Sequence, residues 1–317
     1  MDRQITTKLP NTPAGISRAS DLLNSGQLVA FATETVYGLG ADARNDTAVA
    51  QIFSAKGRPQ FNPLIVHVAS LAAAQKLAAF SPQALALATA FWPGPLTLVL
   101  PLLPDSPISP RVSAGLPTLA LRVPAHPMAH DLLTEFDGPI AAPSANISGK
   151  ISPTSPDHVL DGLSGHIAAV LDAGPCPVGL ESTIIGFDPV PTLLRPGGLP
   201  AEIIENCISQ PLAAPPTQQP MPNAPGQLAS HYAPTAKIRL NADQARPDEV
   251  LLGFGAVPCD LNLSPSADLA QAAANLFRHL HALDANGAKI IAVSAIPDTG
   301  LGRAINDRLK RAAAPRD

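Results

Sequence analysis

The chain has 317 residues, of which 46% are hydrophobic and only 4% aromatic, and its formal net charge is −4. This length suits two domains better than a single core, and the apolar content excludes wholesale disorder. The acidic balance, with a sequence pI near 6.0, argues against a protein that holds nucleic acid mainly through phosphate contacts.

Before residue 211 the sequence alternates between strand-like and helix-like segments, which predicts an α/β or α+β fold with a mixed sheet. Asn45 or Asp46 can cap a helix that reaches Lys56 and stops at Gly57. The other predicted helices are Ser70–Phe80, Ser81–Phe91, Pro127–Phe136, Pro156–Leu163 and Pro200–Ile208. The predicted strands are Gln27–Thr33, Pro63–Val68, Leu96–Leu100, Thr118–Val123, Ile140–Ala142, Ala168–Asp172, Ser182–Phe187 and Thr192–Leu194.

A proline-rich segment follows, from Pro211 to Ser230, with the sequence PLAAPPTQQPMPNAPGQLAS and no charged residue. Such a composition predicts an extended chain, partly in the polyproline II conformation. We therefore divide the sequence into a large domain over 1–210, a linker over 211–234 and a small domain over 235–317.

The small domain has the order strand, helix, strand, helix, which is typical of a parallel α/β unit. These elements are predicted at Val250–Phe254, Asp268–Asp284, Lys289–Ile296 and Gly302–Ala312. Basic side chains are frequent in the last helix and beyond it, and we interpret them as a solvated surface. They are Arg303, Arg308, Lys310, Arg311 and Arg316.

Several common kinds of site are missing from the sequence. It contains no GxxxxGK[ST] phosphate loop and no GxSxG nucleophile elbow. His126 and His130 are four residues apart on a predicted helix, but no glutamate follows His126, so we predict no metal site there. Three widely spaced cysteines form neither a zinc motif nor a disulfide framework, which favours a reducing, cytoplasmic location. No signal peptide or membrane segment is recognisable, so no membrane partner is expected.

What remains is a set of short motifs with cations, hydroxyls and glycines, most of them where predicted strands end. TETVYGLG begins at Thr33, and we expect its hydroxyls and free N–H groups to lie in a turn at the sheet edge. In KGRPQFNPL, Lys56 and Arg58 are held close together on a constrained turn, which suits a polyphosphate. The further motifs are SANISG from Ser144, ESTI from Glu181, LRPG from Leu194 and SHYAP from Ser230.

In this order and spacing, the six motifs resemble the YrdC-like family. The linker and the added C-terminal domain are similar to those of its longer members, the two-domain threonylcarbamoyl-AMP synthases, and the resemblance covers nearly the whole chain. It implies a YrdC-like twisted mixed sheet flanked by helices. It also implies a nucleotidyltransferase that condenses L-threonine, bicarbonate and ATP into threonylcarbamoyl-AMP and pyrophosphate. A downstream tRNA threonylcarbamoyl transferase system would then modify tRNAs that read codons starting with A.

The resemblance also implies roles for residues at matching positions. Lys56 and Arg58 are the catalytic candidates, and Mg²⁺ is expected to accompany ATP. The residues expected around L-threonine are Thr35, His67, Arg122, Ala142 and Ser182. Those expected to contact ATP are Arg58, Asn62, Thr118, Ser144, Ser152, Arg195 and Tyr232.

Because Tyr232 lies beyond the predicted domain boundary, the linker must fold back across the site to deliver it. We predict that this segment is a lid that shields the labile intermediates from water. Truncation after Gln210 is then expected to abolish product formation and to leave the large domain folded.

Two alternatives remain open on the sequence alone. One is a non-catalytic RNA-binding protein, because YrdC-like folds can present a concave basic surface. The acidic pI and the few aromatic residues argue against it. The other is a related carbamoyl-adenylating enzyme, such as the hydrogenase maturation proteins that embed a similar domain. Their zinc-finger and acylphosphatase-like segments have no counterpart here, and direct tRNA binding is expected to be weak at most.

Overall fold

The structure, a computed structural model, describes residues 5–215, 224–226 and 230–315. Within them, the larger part of the chain forms a mixed sheet of ten strands in the order β1-β8-β2-β3-β7-β4-β6-β5-β9-β10. The strands are β1 (Thr7–Pro10), β2 (Val29–Ala32), β3 (Tyr37–Asp42), β4 (Ile65–His67), β5 (Leu96–Pro101), β6 (Thr118–Arg122), β7 (Ile140–Ala141), β8 (Ala169–Asp172), β9 (Thr183–Gly186) and β10 (Thr192–Arg195).

Helices flank this sheet and cover its apolar residues. They are α1 (Pro13–Asn24), α2 (Asp46–Lys56), α3 (Leu71–Gln75), α4 (Pro82–Phe91), α5 (Pro110–Ser113), α6 (Pro127–Phe136), α7 (Pro156–Leu163) and α8 (Ala201–Ile208). Leu23, Phe31, Leu39 and Ile52 are fully buried in the resulting core. In the described chain, no helix combines the length and apolarity needed to cross a membrane.

A second, smaller sheet is formed by β11 (Lys237–Arg239), β12 (Glu249–Gly253), β13 (Leu261–Asn262) and β14 (Ile290–Val293). Its strands pair in parallel in the order β11-β14-β12-β13. Two helices, α9 (Leu269–Ala285) and α10 (Leu301–Ala313), pack against each other and complete this part. The predicted fold class, a mixed-sheet α/β protein with a small parallel unit, is confirmed.

The two parts share apolar packing, although the predicted domain limits themselves stay a prediction. Val36, Ile151 and Leu180 come from the larger part but lie in the same buried cluster as Phe277 and Ile305 of the smaller one. Removing the smaller part would therefore expose these side chains to water, which is unfavourable.

The structure corrects the prediction for TETVYGLG. The segment Tyr37–Asp42 is not an edge turn but strand β3, paired on both sides in the middle of the large sheet. Gly40 is needed there for close packing, because an added Cβ would lie 2.9 Å from Phe31 and 3.0 Å from Ile140. Only Thr33 to Val36 remain as the turn between β2 and β3.

Other boundaries differ less. The helix predicted over Ser70–Phe80 is shorter, at Leu71–Gln75. The sequence patterns do not predict β1, α1, α5, β11 or β13. Of the linker, residues 216–223 and 227–229 lie outside the described residues. At its start, Ala213 forms a parallel bridge with Thr192, so the chain leaves the larger part alongside the edge strand β10.

Candidate active site

One hollow receives side chains from eight separate segments of the chain. They are the turn between β2 and β3, the loop after α2, β4, the ends of β6 and β10, the loop after β7, the segment before β9 and the returning linker. The lining residues are Thr33, Thr35, Val36, Gly38, Arg58, Ile65, His67, Arg122, Ala142, Pro143, Ser144, Glu181, Ser182, Arg195, Pro225, Gly226, His231 and Tyr232. The hollow contains about 520 Å³ of empty space, including solvent at its mouth.

Nine of the residues predicted to contact the substrates line this hollow. They are Thr35, Arg58, His67, Arg122, Ala142, Ser144, Ser182, Arg195 and Tyr232. The sheet explains part of this convergence, because β4 and β6 run in parallel and place His67 directly opposite Arg122. Lys56, Asn62, Thr118 and Ser152 are not among the lining residues. Their proposed roles stay predictions.

Lys56 is fully buried behind the hollow at the end of α2. Its Nζ donates hydrogen bonds to the carbonyl oxygens of Ser144, at 2.6 Å, and of Asn146. Burial, and then the nearby charge of Arg58, lower the pKa of Lys56 well below its ordinary value. The amine therefore supports the backbone of the SANISG loop, which presents Ser144 to the hollow.

Arg58 reaches the hollow because α2 ends at Gly57, which has a left-handed φ of 58°. Its guanidinium donates from Nε to the carbonyl oxygen of Asn62 at 3.2 Å and from Nη2 to that of Pro63 at 2.9 Å. Asn62 thus orients the arginine through its backbone. Thr118 begins β6, four residues before Arg122, which separates the two by roughly 13 Å along an extended strand.

Arg122 is held by three groups. Its Nε donates to the carbonyl oxygen of Gly94 at 3.2 Å, and its Nη1 donates to Oγ1 of Thr35 at 2.9 Å. Nη2 lies 2.6 Å from Oε1 of Glu34 in a buried ion pair, although the alignment is not that of a hydrogen bond. The other Glu34 oxygen accepts from the backbone N–H of Ala125. Glu34 was not predicted as a site residue.

Arg195 is anchored on the ESTI motif. Its Nη2 donates to the carbonyl oxygen of Ser182 at 2.9 Å, and Nη1 donates to the carbonyl oxygen of Pro225 in the returning linker at 3.4 Å. The hydroxyl of Ser182 also bonds that of Thr97 at 2.7 Å. The arginine therefore joins β10, the segment before β9 and the linker at one wall of the hollow.

Ser152 contacts the site indirectly, through Glu181. Its hydroxyl donates to one carboxylate oxygen of Glu181, and the Nε of Arg308 donates to the other at 2.8 Å. Burial acts to raise the pKa of Glu181, but the charges of Arg308 and Arg195 outweigh it and hold that pKa below its usual value. Glu181 is therefore a buried carboxylate at the wall of the hollow.

Arg308 contradicts the sequence interpretation of the last helix as a solvated surface. Its side chain is fully buried, whereas Lys310 and Arg303 are exposed. A signal was present in the sequence: Arg308 lies four residues from both Ala304 and Ala312, and three from Ile305, so it belongs to the apolar face of the helix.

Tyr232 enters the hollow from the returning linker. Its φ of +62° is unusual for a residue other than glycine. The ring packs on Phe277 at a centroid distance of 5.7 Å, and burial raises the pKa of the phenol. Its hydroxyl is buried and has no hydrogen-bond partner among the described residues. The linker returns by pairing with the SANISG segment, since the N–H of Ala233 donates to the carbonyl of Gly149 at 2.9 Å.

The hollow carries an excess of buried positive charge. Arg58, Arg122 and Arg195 line it, whereas Glu181 is the one carboxylate among its described lining residues. Burial lowers the pKa of Arg58 to about 10, with a smaller contribution from the charge of Arg195. Arg122 is paired with Glu34, but Arg58 and Arg195 form no ion pair with any described residue. Because unpaired buried charges are costly, an anion bound beside these two arginines would stabilise the arrangement.

Comparisons with known proteins agree with this geometry. The family described as "Telomere recombination" matches residues 21–197, and the family described as "Threonylcarbamoyl-AMP synthase, C-terminal domain" matches residues 199–314. A threonylcarbamoyl-AMP synthase from Bacillus subtilis is 42% identical, over 98% of this chain and 96% of the relative. The chain belongs to the threonylcarbamoyl-AMP synthase family.

Two further comparisons involve Pyrococcus abyssi. Its threonylcarbamoyl-AMP synthase is 42% identical to this chain and matches 94% of each sequence. The solved structure of P. abyssi Sua5 in complex with L-threonine has a TM-score of 0.89 to this chain, with 39% identity and 98% of each chain covered. The similarity therefore includes both parts of the family's two-part architecture.

Proposed function

We propose that this protein condenses L-threonine, bicarbonate and ATP into threonylcarbamoyl-AMP and pyrophosphate, a nucleotidyltransfer. The observation that carries the proposal is the convergence of three buried arginines with the hydroxyls of Thr35, Ser144 and Ser182 in one hollow. Arginines suit a triphosphate and a carboxylate, while the hydroxyls suit the polar groups of both substrates. Membership in the family supports the same activity.

The reaction needs no covalent intermediate with the enzyme. The amine of threonine attacks the carbon of bicarbonate, a C–O bond breaks and water leaves, which gives a carbamate. A carbamate oxygen then attacks the α-phosphorus of ATP. The P–O bond to the β,γ unit breaks, and pyrophosphate leaves with the electron pair. The task of the enzyme is to hold two anions in line and to neutralise the developing charge.

We assign the two substrates to opposite sides of the hollow. Arg122, Thr35 and His67 lie together on one side and would hold threonine, with the guanidinium facing its carboxylate. Arg58 and Arg195 would face the triphosphate, with Ser144 and Tyr232 completing that side. Burial, together with the charge of Arg122, lowers the pKa of His67 to about 3, so the ring is neutral and can accept a hydrogen bond from a hydroxyl or ammonium group.

Mg²⁺ enters this scheme with ATP rather than as a resident ion. Mg²⁺ in proteins is usually held by one or two carboxylates together with substrate phosphates. In this hollow the lining carboxylate, Glu181, is already bound by Arg308 and Ser152. The phosphates of ATP, rather than protein side chains, would therefore supply most of the ligands of the metal.

The returning linker would act as the lid. Pro225, Gly226, His231 and Tyr232 close one wall of the hollow, and Arg195 donates to the carbonyl of Pro225. Such a cover would exclude water from a carbamate and an acyl adenylate, both of which hydrolyse readily.

The product would next be used by a tRNA threonylcarbamoyl transferase system. The net charge of −4 makes strong direct binding of tRNA by this chain unfavourable.

The deciding experiment is pyrophosphate release from ATP, measured with the full chain. We expect release to require both threonine and bicarbonate, and to fall to background when either is omitted. Serine and alanine, each supplied in place of threonine, test how specific the site is for threonine. Release that is indifferent to both threonine and bicarbonate would refute the proposed function.

A further inference from the structure

Among the residues that the structure describes, four arginines are buried, and three of them line the hollow. The fourth, Arg308, does not line it and comes from the C-terminal part. It lies on α10, 127 residues from its partner Glu181. Its side-chain exposure is 0%. A buried guanidinium requires several partners to offset the loss of hydration.

Those partners connect α10 to the hollow. Nε of Arg308 donates to Glu181 at 2.8 Å, and Nη1 donates to Asp307 at 2.6 Å. Its Cζ lies 5.0 Å from the centroid of the Tyr232 ring, within the range of a cation–π contact. Both Glu181 and Tyr232 line the hollow. A single side chain of the C-terminal part therefore contacts two walls of the candidate active site.

We propose that Arg308 is a positioning residue for the ATP side of the site: it neutralises Glu181, keeps Arg195 available for the triphosphate, and fixes Tyr232 in place. This proposal rests on the proposed function. It assigns the C-terminal part an indirect role in the reaction, because the last helix holds residues of the site in place from behind.

The reason lies in the competition for Glu181. Glu181 and Arg195 line the same hollow, and Arg195 is bonded to the carbonyl oxygen of Ser182, the residue after Glu181. The charges of Arg308 and Arg195 both lower the pKa of this carboxylate. When Arg308 binds one carboxylate oxygen and Ser152 the other, Glu181 is satisfied without Arg195. Without Arg308, the buried carboxylate would attract Arg195, whose charge would then be lost to the anionic substrate.

The fixation of Tyr232 has a separate basis. Its ring contacts both Phe277 and the guanidinium of Arg308, and its backbone has a positive φ of 62°. A conformation of this kind persists only where the surroundings enforce it. Removing the guanidinium removes one of the contacts that hold the Tyr232 ring. The linker should then be more mobile where it enters the hollow.

The test compares Arg308→Met, Arg308→Lys and Lys310→Met in the full chain, by threonine-dependent pyrophosphate release per folded protein. Lys310 is the matched control, because it is a cation on the same helix and is exposed. We expect Arg308→Met to lower kcat/KM for ATP about 10- to 100-fold, the loss of one charge-assisted interaction, with a much smaller change in the KM for threonine. Arg308→Lys should recover part of the loss, and Lys310→Met should behave as the unmodified protein.

A double substitution separates positioning from mere folding. In the Arg308→Met/Glu181→Gln variant neither charge remains, so it should fold even where Arg308→Met alone does not, and Arg195 should be free again. We expect this variant to recover kcat/KM for ATP relative to Arg308→Met. The inference is overturned when the losses for ATP and threonine are equal, when Lys310→Met matches Arg308→Met, or when the double variant shows no recovery. An unmodified protein without threonine-dependent release would instead refute the proposed function.

Discussion

Replacing Arg122 with lysine would separate the shape of its guanidinium from its charge. Lysine keeps a positive charge near Glu34, whose oxygen lies 2.6 Å from the arginine. It cannot, however, bond Gly94 and Thr35 as the arginine does and at the same time offer a flat pair of N–H groups to a carboxylate. We therefore expect threonine binding to suffer more than folding.

The magnitudes follow from the structure. A charge-assisted hydrogen bond contributes about 1.5 to 3 kcal/mol, so its loss should raise the KM for threonine by roughly 10- to 150-fold. The KM for ATP should stay within about threefold, since Arg58 and Arg195 are untouched. Arg122→Ala would instead leave Glu34 unpaired in a buried position and cost about 3 to 5 kcal/mol of stability, which is why lysine is the better probe.

The assay is pyrophosphate release with threonine and ATP varied in turn, together with urea unfolding of each variant. Arg111→Lys is the control, because Arg111 also pairs with a carboxylate, that of Asp46 at 2.8 Å, but both side chains are about half exposed, at 43% and 57%. It should change neither KM. Equal rises in the two KM values for Arg122→Lys would show that this arginine does not face threonine.

Three further outcomes are expected. Lys56→Met should raise the KM for ATP about tenfold or more in steady-state assays, because the buried amine supports two carbonyl groups of the loop after β7. Burial, aided by a neighbouring arginine, lowers the pKa of His67 to about 3. The unfolded chain takes up a proton there below about pH 6.5, whereas the folded protein does so only near pH 3, so His67 should contribute a fall in the free energy of unfolding of about 1.4 kcal/mol per pH unit between these points. Urea titrations should show that contribution lost in His67→Gln, while the buried His158 and His231 keep theirs. Gly226→Ala should reduce turnover about tenfold more than Gly255→Ala. Both glycines have positive φ, but an added Cβ meets the hydroxyl of Tyr232 at 2.7 Å at the first and open space at the second.

The local sequence alone fixed where many elements begin and end. Pro127–Phe136 and Pro156–Leu163 were predicted with the bounds that the structure has, because proline at the first helical position is a strong and purely local signal. Gly57 ends α2 with a left-handed φ because glycine, which has no Cβ, adopts that conformation at no steric cost, and this signal is also local. The motifs in their order were likewise sufficient to identify the family, and with it most of the residues that line the hollow.

Only the tertiary structure decided which polar side chains are paired and what they face. Tyr37–Asp42 looked like a turn, yet its glycines allow a central strand to pack against Phe31. Arg308 looked like one more surface cation, yet it is buried against Glu181. The direction of a side chain follows from neighbours that are distant in the sequence, and a buried charge is tolerated only where such a neighbour compensates it. The spacing of residues in the sequence does not show which distant charges will be paired, so these buried ion pairs are seen only in the folded structure.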